Sequence, residues 1–224
     1  MALFNWDRLH EIETPTRVPT PECPVMSAPP EAPRRVACVG ASVTFGRGLE
    51  NRREECYPAV LGRLLGEGYS VRNFGYSGAT AGRETNEPYW RTPSFTSAER
   101  FAGQIVVVSL GTNDAQHANL GNLANFRRDY TELVEHLRKA GDNAQVVVAL
   151  PPPVFDPLPE ISIPTLDQTI RPAIAETAEQ LGLPLLDGYA MFANRPELFR
   201  DNLHPNAEGA RMIGQAAYQV VRGL

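Results

Sequence analysis

The sequence predicts an α/β fold: a three-layer α/β/α sandwich around a five-stranded parallel sheet. Two observations point there. Short runs such as Gln104–Leu110 (QIVVVSL) and Gln145–Leu150 (QVVVAL) are apolar at successive positions, as in strands covered on both faces. Segments with helical spacing alternate with these runs, and strand–helix alternation is how a parallel sheet covers both of its faces.

In chain order, Val36-Ala37-Cys38-Val39-Gly40 reads as a buried strand ending in glycine. Pro58 suits the first turn of a helix running to about Gly66, because proline has no N–H to lose there. Tyr69–Phe74 is the second strand and Gln104–Leu110 the third. Leu120, Leu123, Phe126, Tyr130, Leu133, Val134 and Leu137 follow a helical period, predicting an amphipathic helix over 119–140 closed by Gly141. Gln145–Leu150 is the fourth strand, 165–181 a helix, Leu183–Leu186 a short fifth strand, and 205–222 a last helix behind Pro205. No internal repeat is visible.

Composition limits what this domain does. The 224 residues carry a net charge of −5, with Lys and Arg scattered, which argues against nucleic acid as a partner. No apolar run is long enough for a membrane span, so no membrane association is expected. Cys23, Cys38 and Cys56 cannot build a disulfide framework, and Cys38 reads as a small buried hydrophobe, which favours a reducing compartment. The start, MALFNWDRLHEIETP, lacks a basic segment followed by an apolar one, so a cytoplasmic protein without a secretory leader is expected.

Proline is concentrated in two places. Seven of the 20 fall in residues 1–33 and six in 151–164. The first cluster excludes helix and central strand. Residues 1–34 are therefore either an extended arm, able to reach a partner subunit in a homo-oligomer, or a disordered leader; 35–224 is the folded domain. The second cluster, PPPVFDPLPEISIP, interrupts that domain as a long stiff loop, and such loops are often functional.

In open parallel sheets, ligands bind beyond the carboxyl ends of the strands. Gly40-Ala41-Ser42-Val43-Thr44-Phe45-Gly46 follows the first strand, Asn73-Phe74-Gly75-Tyr76-Ser77-Gly78-Ala79-Thr80 the second and Gly111-Thr112-Asn113-Asp114 the third. Asp201-Asn202-Leu203-His204-Pro205 precedes the last helix. Together they supply a hydroxyl, backbone donors, a side-chain amide, and an acid three residues before a histidine, the components of acyl transfer by an activated serine. No Cys/His cluster has metal-ligand spacing and no glycine-rich stretch carries a phosphate-loop lysine, so neither metal nor cofactor is expected.

These four segments resemble, in order, the four blocks of the SGNH (GDSL-type) hydrolases, over Arg35 to the C-terminus. NFGYSGAT, Glu87-Pro88-Tyr89-Trp90, LGTND, LPPPVF and LHPNAEGA look like the carbohydrate O-acetylesterase, sialate-esterase-like branch. The resemblance implies a flavodoxin-like sandwich with Ser42 as nucleophile, His204 as general base and Asp201 orienting His204. It also implies an oxyanion hole from Ser42, Gly78 and Asn113. Gly75 competes with Gly78 for that role, and Asn113, like Asp114, also reads as a turn residue. His117 is placed at the rim or on a surface loop, and His136 toward solvent. A flavodoxin-like receiver or nucleotide-binding domain would share the sheet without explaining Asp201 and His204.

The family pattern has Asp before the nucleophile; Ala41 stands there. The implied function is a serine esterase removing a short acyl group, acetyl first, from a carbohydrate through an acyl-enzyme on Ser42. The alternatives are an arylesterase, thioesterase or lysophospholipase of the same family, or an impaired glycan- or protein-binding module in which Ala41 has cost the activity. Tyr89, Trp90 and Arg47, with Arg83 and Arg91 nearby, would hold the sugar, or the aromatics fill their own loop. Pro152 and Val154, in the loop after the fourth strand, would form the opposite wall of a narrow site.

Overall fold

A computed structural model describes residues 32–155, 158 and 160–224; the expected arm falls, up to residue 31, outside them. Five parallel strands, β1 (Arg34–Gly40), β2 (Tyr69–Gly75), β3 (Ile105–Ser109), β4 (Gln145–Leu150) and β5 (Leu185–Asp187), lie in the order β2-β1-β3-β4-β5. The short helices α1 (Ser42–Phe45) and α2 (Arg52–Glu55) precede α3 (Tyr57–Leu65), and α4 (Pro93–Phe101) precedes α5 (Phe126–Ala140). They are followed by α6 (Ile163–Thr165), α7 (Arg171–Gln180), α8 (Gly188–Met191) and α9 (Ala207–Val221).

Strand side chains alternate between faces, and here both faces are apolar. Ala37, Val39, Val106, Val108, Val146 and Val148 form one core with Phe95 of α4, Leu133 of α5 and Ile174 of α7. Val36, Cys38, Ile105, Val107 and Val147 form the other with Leu61 of α3 and Ile213 and Ala217 of α9. Burial pushes the Cys38 thiol well above its ordinary range, which keeps it inert. Among the described residues, no helix is long and apolar enough to cross a membrane.

Two expected helices differ. The segment His117–Asn125 is 3₁₀, and α5 starts only at Phe126. Leu120 and Leu123 have helical spacing, but Asn119, Gly121, Asn122 and Asn125 surround them, residues that disfavour a helix interior. The expected helix over 165–181 contains a wide π turn at Leu166–Ile170. Pro172 cannot donate and its ring crowds the preceding turn, which accounts for the widening. The fifth strand lies two residues later at its start than the apolar run suggests.

The sheet positions the site. After β1 the chain moves outward to β2, then crosses back to β3 on the other side of β1. This reversal opens a crevice beyond the adjoining ends of β1 and β3. Gly40 is in register with both Gly75 and Ser109, so three strand ends present their loops at one level.

Candidate active site

Ser42 begins the single turn of α1 directly above β1. That turn folds back so tightly that a Cβ on Gly40 would stand 2.0 Å from Thr44 Oγ1 and 2.6 Å from the Ser109 carbonyl. The Asn73 amide donates to the Thr44 carbonyl (2.7 Å) and the Tyr76 N–H to the Gly40 carbonyl (2.9 Å), fastening the turn to β2 and the loop after it. Ala41, in the position where the family pattern has Asp, is buried in the apolar core, and its N–H reaches the Ser109 carbonyl at 3.2 Å. Backbone and apolar packing therefore hold the turn without a carboxylate.

The loop before α9 brings the acid and the base. Asp201 Oδ1 accepts the His204 N–H (2.7 Å) and the Leu203 N–H (3.2 Å), and Oδ2 lies 2.7 Å from His204 Nδ1. The other ring nitrogen, Nε2, is 3.0 Å from Ser42 Oγ. Partial burial works against the Asp201 charge. Hydrogen bonds from the His204 ring and from the His204 and Leu203 N–H groups outweigh it and hold the carboxyl below its ordinary range. An ionised carboxylate only accepts, so Nδ1 carries a proton, and in the neutral ring Nε2 is the nitrogen left to accept from Ser42. His204 is buried while the Asp201 side chain is 56% exposed. The Phe155 N–H donates to the Asn202 carbonyl (3.0 Å), tying this loop to the proline-rich segment.

The expected oxyanion donors lie in the loops after β2 and β3. Gly78 has φ +90°, and a Cβ there would meet nothing within 4 Å, which marks an open approach to its backbone. Its N–H and that of Ser42 have no acceptor among the described residues. Gly75, the competitor, donates its N–H to Asn73 Oδ1 (2.8 Å) and is already occupied. Asn113 is buried; one amide hydrogen goes to the Ala79 carbonyl (2.9 Å), which sets it beside Gly78 and leaves the second hydrogen to point elsewhere.

Sequence reading missed Asp114. It is not a turn residue but a fully buried carboxylate accepting the N–H groups of Ala81 (3.0 Å) and Gly82 (2.8 Å). It thereby ties the Gly78 loop to the Asn113 loop. Buried Asn119 adds a bond to the Asn113 carbonyl (3.0 Å). Burial pushes the Asp114 carboxyl up to about 7, against the pull of the Gly82 and Ala81 donors. A carboxyl raised by folding binds more protons folded than unfolded, so its contribution to stability falls as pH rises from about 4 to about 7. Relative to Asp114→Asn, which cannot titrate, the wild type is expected to lose stability on the order of a few kcal/mol between about pH 5 and about pH 8. Thermal melts of both proteins check this, and a stability gap independent of pH would contradict it.

Beside Ser42 lies a small, largely enclosed cavity of about 20 Å³. Val43, Leu110, Thr112, Pro151, Pro152 and Leu203 line it. A space of that size takes about one water-sized or methyl-sized group.

The structure places the expected substrate contacts as follows. Tyr89 is fully buried, donating its hydroxyl to the Phe74 carbonyl (2.7 Å) with its ring edge-on to Phe95. Trp90 packs on Phe95 and His136 under the Arg83 guanidinium, 3.6 Å from the ring centroid, so it belongs to the α4–α5 layer and not to the cavity. His136 does not simply face solvent: Nε2 lies 2.7 Å from Glu99 in this aromatic cluster. Arg47 has an exposed side chain outside the cavity lining, and its N–H supports the Ser42 carbonyl (2.9 Å). Val154 packs on the core rather than the cavity, leaving Pro152 as the expected contact that lines it. His117 is on the surface.

Residues 38–212 match the model of the GDSL-like Lipase/Acylhydrolase family. An acetylxylan esterase of Xylanibacter ruminicola is 34% identical over 84% of this chain and 43% of its own length. The chain thus spans less than half of that relative. The fold is similar to that of a carbohydrate acetylesterase family member from Sinorhizobium meliloti (TM-score 0.68, 22% identity, 85% of this chain and 100% of that one). It is also similar to an aryl esterase of M. smegmatis (TM-score 0.66, 20% identity, 85% and 99%).

Proposed function

The chain belongs to the GDSL-like lipase/acylhydrolase family, and we propose that it is a serine esterase that removes a short acyl group, acetyl first, from a carbohydrate. The observation that carries this is the continuous line from Asp201 through His204 to Ser42, with Ser42 Oγ 3.0 Å from Nε2, beside a cavity of about 20 Å³.

In the proposed reaction, His204 Nε2 takes the Ser42 proton as Oγ bonds to the ester carbonyl carbon. The carbonyl oxygen becomes an oxyanion facing the Ser42 and Gly78 N–H groups and the Asn113 amide. Such donors each contribute about 3 kcal/mol to transition-state stabilisation. The C–O bond to the sugar breaks, and the imidazolium returns the proton to the leaving alcohol. Water then attacks the acyl-enzyme with the same base, releasing the acid and Ser42.

A cavity of that size takes a methyl group, and Pro152 and Leu203 are among the side chains that bound it. The acetylxylan esterase resemblance supports the carbohydrate assignment. The Ser42 turn is held without Asp at position 41, which favours the catalytic reading over the binding-only alternative. Acetate release from acetylated xylo-oligosaccharides, compared with an aryl acetate, an acetyl thioester and a lysophospholipid, is the test. Turnover of the sugar ester is expected; activity confined to the thioester or the lysophospholipid would replace this reading with the family alternative it identifies.

A further inference from the structure

Arg171 is 6% exposed and plays no part in the steps above. Its guanidinium donates from Nε to the Pro151 carbonyl (2.9 Å) and from Nη2 to the Pro152 carbonyl (2.5 Å), while Nη1 pairs with Asp167. Its face lies on the Tyr189 ring, 4.3 Å from the centroid. Pro151, Pro152 and Pro153 have no N–H, so this stretch cannot hold its position by donating hydrogen bonds. It offers only acceptors, and a planar fork of several donors is the side chain suited to fixing two neighbouring carbonyls together. The same two prolines line the cavity beside Ser42.

We propose that Arg171 is a positioning residue that sets the acyl-chain limit of the site by pinning the Pro151–Pro152 wall against Ser42. The wall is stiff within itself, but its distance from Ser42 depends on what anchors it. A lysine at 171 keeps the charge beside Asp167 but presents one ammonium in place of the two parallel N–H groups. A methionine removes all the donors. In either variant the wall loses the bonds to its Pro151 and Pro152 carbonyls, and with only β4 and the Phe155–Asn202 bond to hold it, it yields enough to admit a longer chain. This inference rests on the short-acyl esterase reading above.

The test is kcat/KM for 4-nitrophenyl acetate and butyrate with the wild type, Arg171→Lys, Arg171→Met, Asp167→Asn and, as a direct widening of the cavity, Leu203→Ala. The wild type is expected to favour acetate by roughly 10²-fold, the discrimination expected for added methylenes in a tight pocket. Arg171→Lys and Arg171→Met should lower that ratio by about 10-fold, with KM for butyrate falling. Asp167→Asn, altering a more exposed group, should lower it less. The ratio is independent of how much protein is folded, so a merely structural role for Arg171 leaves it unchanged. Unchanged ratios in Arg171→Lys and Asp167→Asn, with Leu203→Ala relaxed, overturn the Arg171 proposal and leave the esterase reading intact. A wild type that prefers butyrate, or hydrolyses neither ester, overturns the short-acyl reading itself.

Discussion

Ser42→Ala is expected to lower kcat by about 10⁴- to 10⁶-fold, the range found when a triad nucleophile is removed. Ser42 Oγ is the hydroxyl that His204 Nε2 faces, at 3.0 Å. Ser109 and Thr112 also border the cavity, but neither is hydrogen-bonded to His204, so neither inherits the proton-transfer path. What survives is the oxyanion donors and the base acting on water, and substrate binding should change little. The thermal midpoint should also change little, because the Ser42 turn is held by backbone bonds and by Asn73 rather than by Oγ. Steady-state rates on an activated acetyl ester, mass spectrometry of acyl-enzyme trapped at low pH, substrate binding to the variant and a thermal melt check these expectations. Turnover within about 10-fold of wild type would remove Ser42 from the nucleophile position.

Much of this site was legible because its chemistry lies at strand ends, and the strands themselves were plain. Val36, Cys38, Ile105 and Val107 on one face, and Ala37, Val39, Val106 and Val108 on the other, are all apolar, which only a sheet covered twice requires. Once the strands were placed, the loops after β1, β2 and β3 had to converge. The residues that escaped sequence reading are those whose partners are distant backbone atoms. Tyr89 looks like a sugar platform until the Phe74 carbonyl is found on its hydroxyl. Asp114 looks like a turn residue until the Ala81 and Gly82 N–H groups are found on its carboxylate. Arg171 carries no local sign that two prolines about twenty residues earlier will accept its hydrogen bonds. Periodicity reports which face is buried, not which polar atom meets which. It also failed at Leu120 and Leu123, where apolar spacing was helical but the intervening asparagines and glycine were not.

Asp201→Asn is expected to lower kcat by near 10⁴-fold, more than Asp201→Ala does. Asparagine keeps an oxygen for the His204 and Leu203 N–H groups, so the loop should hold its shape. Its NH₂, however, would then face His204 Nδ1 in place of Oδ2, 2.7 Å away in the wild type. A donor there forces Nδ1 to accept, which moves the ring proton to Nε2. His204 would then donate to Ser42 Oγ instead of accepting from it, and the base is lost in the ground state. Alanine imposes no tautomer. Because the Asp201 side chain is 56% exposed, water or a small carboxylate can reach Nδ1 in that variant. Added formate should therefore restore part of the activity of Asp201→Ala and none of that of Asp201→Asn. Equal losses in the two variants, with no response to formate, would mean that Asp201 acts only by shaping the loop before α9, and that the proton on Nδ1 is placed by something else.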